Sequence, residues 1–236
     1  MQLQLASMSA EGSVAGQPAR AGSRRGTQYS LIASVLLAWA VVILGPDGMG
    51  GGLLAFVAAW TAMMVAMMLP SAAPLVLLYR RGASGWQTFA LACGYLLIWS
   101  LAGVPAYYAH ALLPMSVGPV ALAAAGIYQL SPLKAACLRA CRSPADFLIQ
   151  RWGRSPLRLG AEHGWWCLGC CWALMVVLVL AGSMGLPWVV GISTLVAVEK
   201  LSRHGTLISR ISGVALLIAA AIQGVMLWNG ESMEMS

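Results

Sequence analysis

Residues 51–79 read GGLLAFVAAWTAMMVAMMLPSAAPLVLLY, 29 positions without a charged side chain. At about 1.5 Å per helical residue this run outlasts a hydrocarbon core of about 30 Å, so it reads as a tilted or kinked membrane span. Pro70 and Pro74 supply the kink, because each lacks an N–H and frees the carbonyl four residues earlier. The rest of the 236-residue chain has the same character: 60% is hydrophobic, 9% is charged and the mean hydropathy is +0.79. A soluble domain carries about 25% charged residues. Soluble enzymes, nucleic-acid readers and secreted disulfide scaffolds are excluded for want of polar surface. The expected fold is all-α, a polytopic transmembrane helix bundle in the lipid bilayer.

Six further apolar runs accompany the first: about Tyr29–Leu44, Trp86–Leu113, Val117–Leu130 continuing past Pro132 to Cys141, Ala161–Gly182, Leu186–Val198 and Leu207–Trp228. The run from Leu186 is short enough to be partly re-entrant. Residues 1–28 read as a disordered cytoplasmic tail, 29–228 as the bundle, and 229–236 as an extracytoplasmic tail. Residues 142–160, rich in arginine and proline, read as a loop lying on the inner membrane surface. Arg24-Arg25 ahead of an apolar stretch also suits an export signal with Ala38 and Ala40 at its cleavage site, but no polar domain follows.

Charge sets the expected topology. Lys and Arg total 14 against 7 Asp and Glu, a net charge of +7. With the N-terminus cytoplasmic, the inner segments carry three, two, six and three basic residues, which accounts for all 14. The outer loops carry none, as the positive-inside rule requires of seven spans in a bacterial inner membrane.

Five of the six cysteines, Cys137, Cys141, Cys167, Cys170 and Cys171, fall within 35 residues flanking the basic loop. Cys137 and Cys141 are i and i+4 on one helix face. At about 100° per residue, His163, Cys167, Cys170 and Cys171 share one face of the next helix. Thiolate and imidazole are the donors that Zn²⁺ and Cu⁺ favour, and a helical pair from each of two helices closes a site. The bland alternative is cysteine as a small packing residue between membrane helices.

Residues 63–68 hold Met63, Met64, Met67 and Met68, four of the chain's 13 methionines. Thioethers suit Cu⁺ and are poor partners for Zn²⁺, which makes copper the favoured metal and zinc the alternative. Counted from the inner ends of their spans, Met67 and Met68 lie about 17 Å deep and Cys170 and Cys171 about 15–16 Å, the same level. Cys93 also lies in the inner half, where thiols stay reduced. Met49, His110, Met115, Met184, Met233 and Met235 fall on the outer side, where they would collect a soft ion or stand as bystanders. Glu199 is an oxygen ligand or an acceptor for His163, or else pairs locally with Lys200 at the interface. Tyr128, Gln129 and Lys134 bracket the inner end of the fourth span, and Trp165, Trp166 and Trp172 surround the cysteines. No GxxxxGK[ST], HExxH or GxSxG motif occurs, so ATP-driven pumping, zinc proteolysis and nucleophile-elbow hydrolysis have no support.

Several segments together resemble a known family. They are Met67-Met68-Leu69-Pro70, the run Tyr128 to Lys134 with Cys137 to Pro144, the run Gly164 to Trp172 with Met175, and Val198-Glu199-Lys200. The chain is similar to the bacterial integral membrane proteins described as predicted metal-binding, whose members have no settled biochemical role. The resemblance implies a membrane metal site and names neither the metal nor a reaction. The resulting expectation is a protein that binds a soft metal ion, copper(I) first, for uptake, storage or delivery to a cuproenzyme. A membrane thiol-disulfide oxidoreductase and a non-catalytic accessory subunit of a larger membrane complex remain as alternatives.

Overall fold

The computed structural model describes residues 24–45, 52–180 and 185–234. Most of the expected tail, together with Met49, Met184 and Met235, lies outside the described residues, as do the side chains of Met115 and Met233. Nine α-helices form among the described residues: α1 Arg24–Leu44, α2 Leu53–Tyr79, α3 Gly85–Leu112, α4 Gly118–Leu130, α5 Pro132–Arg142, α6 Pro144–Arg151, α7 Pro156–Leu180, α8 Leu186–Leu201 and α9 Gly205–Glu234. No strand occurs among them. Five of these helices, α1, α2, α3, α7 and α9, are long and apolar enough to cross a membrane, and α4 with α5 makes a sixth if that bent pair is one span. The seventh expected segment is α8, a helix of only 16 residues.

Three boundaries differ from the sequence-based expectation. The helix of the first run begins at Arg24, inside the supposed tail, and α9 continues to Glu234 through the supposed outer tail. The 142–160 segment is mostly helical, as α6 followed by the first turn of α7. Pro144 and Pro156 each open a helix, because proline's missing N–H costs nothing at a first turn. The underside of α6 buries Phe147 and Leu148 against Leu75, Tyr79 and Leu159, and Trp152 tilts over Tyr79 at 5.7 Å. Glu162 ties the segment down by accepting from Arg151 at 3.1 Å, Arg154 at 2.5 Å and Arg158 at 3.3 Å.

Two local features position the site. The fourth run does continue past Pro132, but it bends by 65° between α4 and α5. Ser131 is held extended ahead of the proline, and its hydroxyl caps the new helix by accepting from the Lys134 amide at 3.2 Å. The bend turns α5 across the bundle toward α7. The second feature is the crossing of α3 and α7. A Cβ at Gly94 would collide with the Leu157 carbonyl, and one at Gly160 with the Leu91 carbonyl, so the two backbones touch directly. α7 is the most buried of the long helices, while α1 and α9 present apolar side chains such as Leu36, Leu37, Ile211 and Ile218 outward.

Candidate metal centre

The shared face read from the sequence of α7 is turned inward. His163, Cys167, Cys170 and Cys171 are each no more than 3% exposed. The three cysteines join Met63, Met64, Met67 and Met68 of α2 and Leu138 of α5 in one buried cluster. Cys141, carried across by α5, brings its Sγ to 3.7 Å from Sγ of Cys170, and Cys170 lies 3.3 Å from Cys171. Cys167 is tied to them by the Cys170 thiol, which donates to the Cys167 carbonyl at 3.2 Å. Four thiols from two helices therefore form one group. All six cysteines are free.

Two ammonium groups reach into this group. Lys200, at the end of α8, places Nζ 2.9 Å from Cys167 Sγ and donates to Ser71 Oγ at 3.2 Å. Lys134 donates to the Cys170 carbonyl and to Glu199 at 2.7 Å. Glu199 also accepts from Gln129 at 2.9 Å and Ser212 at 3.2 Å. The two charges are thus compensated differently. Lys134 has a carboxylate, whereas among the described residues no carboxylate reaches Lys200, and a thiolate at Cys167 is the anion placed to balance it. Tyr95 of α3 completes the surround: its hydroxyl lies 3.0 Å from Cys167 Sγ and donates to the Met68 carbonyl at 3.3 Å. That bridge puts the Met68 turn and the thiols at one level of the bundle.

The remaining expected residues divide. Cys137 stands apart from the four thiols, with Sγ packed where a side chain on Gly169 would be. His163 lies between the rings of Tyr95 and Phe147, at 5.9 and 5.2 Å, and its Nδ1 has no hydrogen-bond partner. Glu199 is engaged by Lys134 rather than by His163. Lys134 and Lys200, expected at the interface, are 0% and 7% exposed. Tyr95 and Ser71 were not singled out from the sequence. The available signal was an isolated hydroxyl within an apolar run, the kind of polar group that needs a partner once buried.

Among the described residues, no three His, Cys, Asp or Glu side chains stand ready to enclose a metal ion. The distances are nonetheless close to what one requires. Metal–sulfur bonds of about 2.3 Å in a tetrahedral site set sulfurs about 3.8 Å apart, and Cys141 and Cys170 are separated by 3.7 Å.

A family model described as "PpoB2: Copper chaperone" matches residues 57–223. The chain belongs to this copper-chaperone family. The match runs from α2 into α9, so it includes both lysines, the four grouped thiols and the buried methionines of α2. The family's description replaces the broader resemblance to metal-binding membrane proteins with a copper-related role. No curated protein and no solved structure matches the chain.

Proposed function

We propose that this copper-chaperone family member is a membrane-embedded carrier that holds copper(I) on the thiols of Cys141, Cys167, Cys170 and Cys171 and passes it to a cuproenzyme. The observation that carries the reading is the meeting of thiols from α5 and α7, 3.7 Å apart, beside an ammonium 2.9 Å from Cys167. Cu⁺ takes two to four soft ligands. A Cu⁺ ion held by two thiolates bears one net negative charge, which Lys200 neutralises inside an apolar bundle. Copper is cargo, so an exchangeable thiolate site suits it better than a closed structural one. The free thiols also leave copper to move by ligand exchange, one sulfur at a time. Tyr95 and Ser71 hold Cys167 and Lys200 in place through their hydroxyls.

Cys141→Ser tests this directly, because Cys141 touches neither lysine in a hydrogen bond. The full chain in detergent is expected to take Cu⁺ from a competing chelator, and the variant to bind at least about tenfold more weakly, or about 1.4 kcal/mol. Equal copper affinity in the variant, or tighter retention of Zn²⁺ than of Cu⁺ by the parent chain, would overturn the assignment.

A further inference from the structure

The thiol group absorbs one end of the buried face of α2 and leaves the rest of that face unexplained. Phe56, Trp60, Met64, Met68 and Ser71 follow one another at helical spacing, and none is more than 8% exposed. The lower end is fixed beside the thiols by Ser71 on Lys200 and by the Met68 carbonyl on Tyr95. Met64 lies one turn farther out, about 6 Å, and Phe56 about 18 Å from the Met68 turn. At the far end the Phe56 ring stacks at 6.1 Å on the imidazole of His110, which is exposed. Met175 joins from α7, one turn beyond Cys171 and in the same buried cluster. A fully buried indole N–H, Trp99 Nε1, also sits in that cluster without a partner.

We propose that the thioethers of Met64, Met68 and Met175 form a second copper(I) station, reaching from Met68 at the level of the thiols one turn outward to Met64 and Met175, which receives the ion from the His110 end and hands it to them. This rests on the copper(I) reading of the thiols. Leucine would fill the same volume, so packing alone gives no reason for sulfur at these depths. Thioether is a soft, uncharged ligand that accepts Cu⁺, and the indole faces of Trp60 and Trp99 attract a cation. Because thioethers supply no negative charge, Cu⁺ at this station keeps its full charge in an apolar surround. It is therefore held weakly, whereas the thiolates neutralise it. The cysteine that joins Cys167 as the second thiolate releases its proton, so one H⁺ leaves as one Cu⁺ arrives, and that difference in charge compensation drives the ion from sulfur to sulfur in one direction.

The test uses the full chain labelled with selenomethionine and titrated with Cu⁺, with X-ray absorption at the copper edge. The first copper bound, at substoichiometric loading, is expected to show sulfur neighbours alone. Copper bound after the thiols are saturated is expected to show selenium neighbours. Met64→Leu/Met68→Leu should weaken that later copper at least about tenfold and leave the earlier copper unchanged. Met226→Leu, at an exposed site, should change neither. Absence of selenium scattering at every loading overturns the station. Selenium scattering from the first copper bound overturns it too, since the methionines would then belong to the thiol site. A parent chain that takes up no copper at all defeats the thiol reading, and the station with it.

Discussion

Lys134 and Lys200 are the only lysines in a chain with twelve arginines, and both are buried against the thiol group. A buried ammonium is costly unless its charge is balanced. The Lys134–Glu199 pair, at 2.7 Å and 1% exposed on each side, therefore invites a mutational cycle. Lys134→Met leaves Glu199 buried without a cation and should cost about 3–5 kcal/mol. Glu199→Met should cost a similar amount by stranding the ammonium. The double variant replaces both charges with apolar side chains and should recover most of the loss. Unfolding in mixed detergent micelles measures all three, and additive losses in the double variant would contradict a shared buried pair. Lys200 behaves differently, since its partner is sulfur. Lys200→Met should release copper(I) to a chelator at least about tenfold more readily, as the neutralising charge is gone.

At the scale of the elements, the site depends on how closely α3 approaches α7. Gly160→Leu would drive a side chain into the Leu91 carbonyl and separate the helices that carry Tyr95 and Cys167. A loss of roughly 3 kcal/mol or more is expected, read as a lower unfolding midpoint with a parallel loss of copper(I) retention. Gly191→Ala is the matched contrast. Nothing lies within 4 Å of a Cβ there, so it should stabilise α8 by about 0.5–1 kcal/mol. A Gly160→Leu chain as stable as its parent would show that the crossing is not this tight. The element level also shows what the sequence made legible. The long helices were evident because 29 uncharged residues admit little else in a membrane. The shared face of His163 and three cysteines followed from helical periodicity alone. Sequence alone predicts a loop at α6 and the start of α7 because proline breaks helices, although proline opens both of these. The inward turn of the lysines and the role of Tyr95 were illegible, since both depend on which helices meet across the bundle.

For the molecule as a whole, the arginines among the described residues gather at one pole. Arg80, after α2, donates to Thr27 near the start of α1 at 3.2 Å. Trp152, after α6, lies over Tyr79, and Arg142 donates to the carbonyls of Ser202 and Arg203 before α9. These contacts join every arginine-bearing connection into one end of the bundle. The opposite end, formed by the start of α2, the end of α3 and the start of α8, carries no Lys or Arg among the described residues. The expected orientation follows from the positive-inside rule: the arginine pole faces the cytoplasm and the His110 end faces out. That orientation sets the direction of any copper relay, from an outer imidazole toward thiols nearer the cytoplasm. Gln150→Cys on α6 and Leu113→Cys beyond α3 test it with a membrane-impermeant maleimide on intact spheroplasts. Residue 113 should label at once, and residue 150 only after lysis. Labelling of residue 150 in intact spheroplasts would invert the molecule, and the proposed flow of copper would then run outward from the cell.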